Sequence, residues 1–202
     1  MIVREREVHL GVRDEDLVQK ALEGDDSAFR ELHDRYIGQV LRYAYMQTGD
    51  YHRSEEIAQD VMYKMAVHLA NFQGRSSFKT WLFTIGRRVV IDYHRKYKKE
   101  NNTVYLSPED LGHKQDKHLV EQNILEYSLR EQIMASMEKL SPDEKTVLYL
   151  RFFEGMSIKE TAKVMSKTVM AVKSLQTRAK KKLSAHLKSE VNDHEKTTRT
   201  AE

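Results

Sequence analysis

Apolar residues recur along this chain at 3.6-residue spacing and strand-like alternation is scarce, so the pattern predicts an all-α fold built from short amphipathic helices. Leu17, Val18, Ala21 and Leu22 mark a first helix that Gly24 can end, and Asp25 or Asp26 can cap a second carrying Phe29, Leu32, Tyr36 and Val40. Gly49 closes that helix. Ser54, with Glu55 and Glu56 in the first turn, is expected to open a third, whose inward stripe is Ile57, Val61, Met65 and Leu69. Its other face carries Gln59, Asp60 and Tyr63. A fourth helix follows the loop Gln73 to Ser77, where Gly74 tolerates positive φ and Ser76 or Ser77 can cap. On it Phe78, Trp81, Leu82, Ile85 and Val89 share one side, while Thr84, Arg88, Ile91, Arg95 and Lys98 run down another.

From Glu100 the chain turns polar, with Asn-Asn, Ser-Pro and a glycine and no sustained periodicity. Residues 100–122 are therefore expected to link two small helical domains, 14–99 and 123–188. The second begins with a helix through Ile124, Leu125, Leu129, Ile133 and Met137. Ser141-Pro142-Asp143-Glu144 then combines an N-cap serine, proline at the first helical position and a capping-box glutamate, for a helix expected to reach Gly155. Ser157 and Glu160 form a second box before a two-turn helix ending at Met165. Thr168 can cap a longer helix with Val172, Leu175, Ala179 and Leu183 inward. Residues 1–13 read as an N-terminal extension and 189–202 as a flexible tail that frays.

A net charge of +3 hides strong local asymmetry: Lys163 to Lys188 contains no acid, and Arg87 to Lys99 has only Asp92. The absence of cysteine removes thiolate metal sites and thiol nucleophiles. No signal-peptide core or membrane-length apolar run stands in the sequence, which leads to the expectation of a cytoplasmic protein. His113 and His118 lack a third ligand at diagnostic spacing, so no metal or other cofactor is expected. Glu55, Glu56 and Asp60 cluster on one helix as a Mg²⁺ hydrolase would need, but no second acidic motif converges on them.

Aromatics beside a basic helix end are the ingredients of single-strand nucleic-acid binding, in which bases stack on rings and cations follow the phosphates. The alternative for Gly74 to Lys99 is a core helix with a solvated charged face. In the second domain the helix–turn–helix spacing places Lys173, Ser174, Thr177, Arg178 and Lys181 opposite the apolar stripe, as a major-groove recognition helix requires.

Four segments, DEDLVQKALEGDDSAFRELHDRYIGQVLRYAYMQTGD, SEEIAQDV, FQGRSSFKTWLFTIGRRVVIDYHRK and LSPDEKTVLYLRFFEGMSIKETAKVMSKTVMAVKSLQTRAKKKL, together resemble an extracytoplasmic-function sigma factor of bacterial RNA polymerase. The resemblance runs from Asp14 to Leu187. It implies a non-enzymatic transcription initiation factor whose partners are core RNA polymerase, promoter DNA and an anti-sigma factor, with no small-molecule substrate. It assigns Gln59, Asp60 and Tyr63 to the polymerase clamp. The minus-10 single strand would meet His68, Asn71, Phe72, Gln73, Gly74, Arg75, Ser76, Ser77, Trp81, Arg87, Arg88, Arg95 and Lys98. The minus-35 duplex would meet Thr168, Val169, Met170, Lys173, Ser174, Thr177, Arg178 and Lys181. The chain departs from the family pattern at Arg88, where Asn is common, and at Ser166 and Met170, where Gly is often found. The rival reading is a helix-turn-helix regulator that binds duplex DNA without being a polymerase subunit.

Overall fold

Helix α1 (Asp14–Leu22) carries Asp14, Glu15 and Asp16 in its first turn, where acids favour the exposed N–H groups. The Asp25 carboxylate accepts from the N–H groups of Ser27 and Ala28 to start α2 (Asp26–Thr48), which ends at Gly49 in the left-handed region. The computed structural model describes residues 12–103, 136–137 and 139–199. Residues 1–11 of the extension, most of the linker with His113 and His118, and the helix expected through Ile124, Leu125, Leu129 and Ile133 lie outside the described residues.

Helix α3 (Tyr51–His68) starts earlier than the sequence pattern suggests, because Asp50, not Ser54, is its cap and accepts from the Arg53 N–H at 3.1 Å. Asp50 is the first extended residue after Gly49 and already holds a free carboxylate, so the helix begins there. Ser54 is fully buried one turn inside, with its hydroxyl on Thr48 and on the Asp50 carbonyl. A 3₁₀ turn (Leu69–Asn71) and the loop with Gly74 at φ +66° lead to α4 (Phe78–Thr103). Ser77 caps α4, its hydroxyl accepting from the Thr80 N–H.

Both predicted capping boxes are present. Ser141 with Glu144 starts α5 (Pro142–Leu148), and Ser157 with Glu160 starts α6 (Ile158–Met165). Beyond Leu148 the helix widens into a π-helical turn, Tyr149–Phe153. Ser166 turns the chain in the left-handed region at φ +51°, the only non-glycine there among the described residues. Helix α7 (Val169–Arg199) then runs well past the point where a frayed tail is expected. No glycine or proline interrupts residues 169–199, so nothing in the local chemistry stops it.

Leu32, Val40, Val61, Met65, Phe78 and Leu82 form the centre of the first unit, where α1 to α4 pack. Val147, Leu150, Val164, Met165, Val172 and Ala179 form that of the second. The two join in one continuous core, because α4 packs on α6 and α2 on α5. Among the described residues no helix is long and apolar enough to cross a membrane.

Candidate nucleic-acid interface

The loop after α3 puts Phe72 over Phe78 and Trp81, with ring centroids 5.7 and 5.6 Å apart and tilted or edge-on packing. Phe72 and Trp81 are half-buried, so each keeps an accessible edge while the cluster holds it still. His68, Asn71, Gln73, Gly74, Arg75 and Ser77 are exposed around this cluster, and Ser76 is half-exposed. Further along α4, Arg88 and Arg95 are exposed, and Arg95 lies 3.6 Å from Asp92. The Lys98 side chain lies outside the described residues. His68, Asn71, the Gln73 to Ser77 loop and the Phe72–Trp81 cluster thus come together at one end of α4.

Arg87 does not join that surface. Its guanidinium donates to Asp143 of α5 at 2.9 Å and its side chain is only 15% exposed, so it is committed inside the molecule. Burial pushes the Asp143 carboxyl up, but hydrogen bonds from Arg87 and from Lys167 more than offset this and hold it below the usual carboxylate range. Arg75 is also engaged, through its carbonyl, which accepts from Lys163 at 3.3 Å.

These contacts belong to a seam between the units that sequence reasoning missed. Lys79 pairs with Glu154 at 2.5 Å, and the Glu154 side chain is 4% exposed. Tyr43 and Gln47 both donate to the Thr146 hydroxyl at 3.1 Å, which itself donates to the Pro142 carbonyl. Lys145 donates to the Gln47 carbonyl. The Tyr149 hydroxyl lies 2.6 Å from the Gln39 carbonyl and 2.8 Å from Glu154. Tyr149 packs on Tyr43 and Phe83 as well. Complete burial pushes the Tyr43 phenol up to about 12, and it stays protonated as a donor. A signal was available: Phe83 and Val90 give α4 a second apolar stripe beside Phe78, Leu82 and Val89, and a helix apolar on two sides has two neighbours.

Gln59, Asp60 and Tyr63 are all exposed on α3, Tyr63 at 68%, opposite the buried Ile57, Val61 and Met65. On α7 Lys173, Ser174, Thr177, Arg178 and Lys181 stand exposed, while Val172, Leu175 and Ala179 are buried. Thr168 is exposed but its hydroxyl accepts from the Ala171 N–H, so it serves first as a cap. Val169 is half-buried against the core, whereas Met170 is 71% exposed between Lys167 and Lys173.

Residues 32–100 match the family model for Sigma-70 region 2, and residues 130–183 match that for Sigma-70, region 4. The ECF RNA polymerase sigma factor SigX of Bacillus subtilis is 30% identical over 175 residues, covering 84% of this chain and 90% of that protein. The ECF RNA polymerase sigma factor BldN of Streptomyces coelicolor is 31% identical over 181 residues, and the match spans 84% of this chain but 64% of BldN. Among solved structures, CnrH in complex with the cytosolic domain of CnrY shares the fold, with a TM-score of 0.66 at 24% identity over 87% of this chain and 97% of that one. With both region models matched in order and a relative at this identity covered over nearly its whole length, the chain belongs to the extracytoplasmic-function RNA polymerase sigma factors.

Proposed function

We propose that this chain binds core RNA polymerase through the exposed face of α3 and directs it to promoters, with the first unit engaging the minus-10 single strand and the second reading the minus-35 duplex. The observation that carries this reading is the pairing, in one chain, of an exposed basic recognition helix with a half-buried aromatic cluster at a loop rimmed by polar residues. Residues 14–99 serve as the polymerase and minus-10 unit and 123–188 as the minus-35 unit. Lys173, Ser174, Thr177 and Arg178 reach base edges, and Lys181 meets phosphate.

Arg88 stands where the family commonly has Asn, and its guanidinium only donates, so it suits an acceptor-rich base edge or a phosphate. The chain works without catalysis or cofactor, in the cytoplasm where polymerase and DNA are. Two solved structures of this fold hold a bound partner, CnrH the cytosolic domain of CnrY and the sigma factor RpoE the anti-sigma factor NepR, and an anti-sigma partner is proposed here too.

The test is run-off transcription with purified core polymerase, followed by mapping of the start sites. Promoter-specific transcripts are expected. Gln59→Ala with Asp60→Ala should abolish most of them by weakening core binding roughly tenfold or more while helicity is kept, as loss of central interface residues does. A chain that bound duplex DNA but gave no transcript with core would be a helix-turn-helix regulator instead.

A further inference from the structure

The chain has nine methionines and no cysteine, so thioethers are its only sulfur. Met1 and Met134 lie outside the described residues. Of the other seven, Met46, Met62, Met65, Met137, Met156 and Met165 are buried to 8% exposure or less, whereas Met170 is 71% exposed. Core packing accounts for the six, since a long unbranched thioether fills irregular gaps. It does not account for Met170.

The backbone fixes where that sulfur stands. Ser166 turns the chain at φ +51°, the Thr168 hydroxyl accepts from the Ala171 N–H at 3.2 Å, and half-buried Val169 pins the helix start to the core. Met170 therefore projects from a held first turn of α7. Met170, Lys173, Ser174 and Thr177 are all exposed and follow the i, i+3, i+4, i+7 spacing of one helix face. The accessible thioether thus belongs to the face that would read duplex DNA.

Resting on the function proposed above, we infer that Met170 is a reversible oxidation site that sets how tightly α7 holds the minus-35 duplex. The oxidant is a hydroperoxide, in the simplest case hydrogen peroxide. A sulfur lone pair attacks one peroxide oxygen, so the S–O bond forms as the O–O bond breaks. The departing hydroxide takes the proton from the new S–OH group, which leaves sulfoxide and water. Sulfur gives up two electrons and the peroxide gains them.

The sulfoxide differs from the thioether in two ways that matter in a major groove. A polar acceptor oxygen replaces an apolar surface suited to a thymine methyl group. That oxygen also stands one turn from the Lys173 ammonium, a group that only donates, and competes with base edges for it. Methionine sulfoxide reductase removes the oxygen as water at the expense of a thiol and restores the original surface. Because the six other described methionines are sealed in the core, mild oxidation reaches the reading helix before it reaches the fold.

Peroxide titration of the native full chain, followed by peptide mass spectrometry, reads oxidation at each methionine. Met170 should convert roughly tenfold or more faster than the six buried ones. The treated chain, freed of peroxide and added to untreated core polymerase, should give roughly fivefold less run-off transcript at limiting protein. Methionine sulfoxide reductase with dithiothreitol should restore it. Met170→Leu puts an apolar side chain there that peroxide does not oxidise, and it should hold its own untreated level after treatment. Met170→Gln puts a polar amide there and should match the oxidised wild type without any peroxide.

Conversion of Met170 no faster than that of Met62 or Met156 would overturn the proposal. An equal peroxide loss in Met170→Leu would do so too, because the damage would then lie at another methionine. So would a wild type fully oxidised at Met170 that transcribes as before. An untreated wild type that gives no transcript would instead overturn the proposed function, on which this site rests.

Discussion

On α7, Lys173, Ser174, Thr177, Arg178 and Lys181 share one open side of the helix, whereas on α4 the neighbours Arg87 and Arg88 part ways, Arg87 buried in an ion pair and Arg88 exposed. The helices differ in how many neighbours they have. Over its first turns α7 buries one stripe, Val172, Leu175 and Ala179, and whatever stands opposite is free. α4 buries Phe78, Leu82 and Val89 on one side and Phe83 and Val90 on another, where Phe83 packs on Tyr149 of the second unit, so a cation between the stripes is drawn inward. A charge count along the sequence sees the two helices as alike. Only the number of apolar stripes tells them apart.

The open face should show the largest single-residue effects. Lys173→Ala is expected to lose about 1–3 kcal/mol of discrimination at one or two base pairs of the minus-35 duplex, whereas Lys181→Ala should weaken all sequences alike and lower the salt slope by roughly one. Titration of mapped and scrambled duplexes at several salt concentrations measures both, and identical behaviour would break the contrast between reading and anchoring positions on α7.

Met170 sharpens the same point with a smaller effect. An exposed apolar side chain flanked by cations on the first turn of a reading helix suits a thymine methyl group. Replacing each minus-35 thymine by deoxyuracil removes only that methyl. One such position should cost the wild type about 1 kcal/mol, and Met170→Ala should be indifferent to it.

Ser166 tests the turn that aims the open helix. A side chain in the left-handed region is strained there, and glycine is not, so Ser166→Gly should raise stability by about 0.5–1 kcal/mol in thermal or urea unfolding, after allowing for the extra freedom of glycine in the unfolded chain.

The smallest expected effect tests the covered face by pH. Burial and then the neighbouring Lys145 hold His94 below its usual 6.5, so the folded chain binds fewer protons than the unfolded one. Stability of the seam is therefore undiminished above 6.5 and declines as pH falls from there toward the lowered value. The Asp143 carboxyl, held below 3.8, contributes its part throughout that window and loses it only at lower pH. Thermal stability should thus decline as pH falls below 6.5 in the wild type and change less in His94→Gln.

The elements were legible where punctuation is chemical. Both capping boxes, the Asp25 cap, Gly49 and the Thr168 cap stand where their residues predict. Ser54 misled because a serine followed by two acids has the composition of a helix start, while Asp50 after Gly49 had the earlier chance to cap. Among candidate DNA residues, the exposed set on α7 follows from a single periodicity. Val169 did not follow, being half-buried against the core at the helix start. Arg87 was out of reach because its partner, Asp143, lies 56 positions away on another element. The seam itself depends on such long-range pairings, Tyr43 with Thr146 and Lys79 with Glu154, which leave no local pattern.

The π-helical turn Tyr149–Phe153 begins at the residue whose hydroxyl donates to the Gln39 carbonyl, and it precedes α6 and α7. An α-helix advances about 1.5 Å and turns about 100° per residue, so a stretch wound to a wider period shifts the phase of its own residues against the α-helix before it. Here Tyr149, at the start of the turn, points into the seam while Phe152 and Phe153 are exposed. The turn therefore acts as an angular spacer whose length matters more than its composition. Losing a single residue within it would turn Glu154 by about 100° against Tyr149 and take its carboxylate away from Lys79.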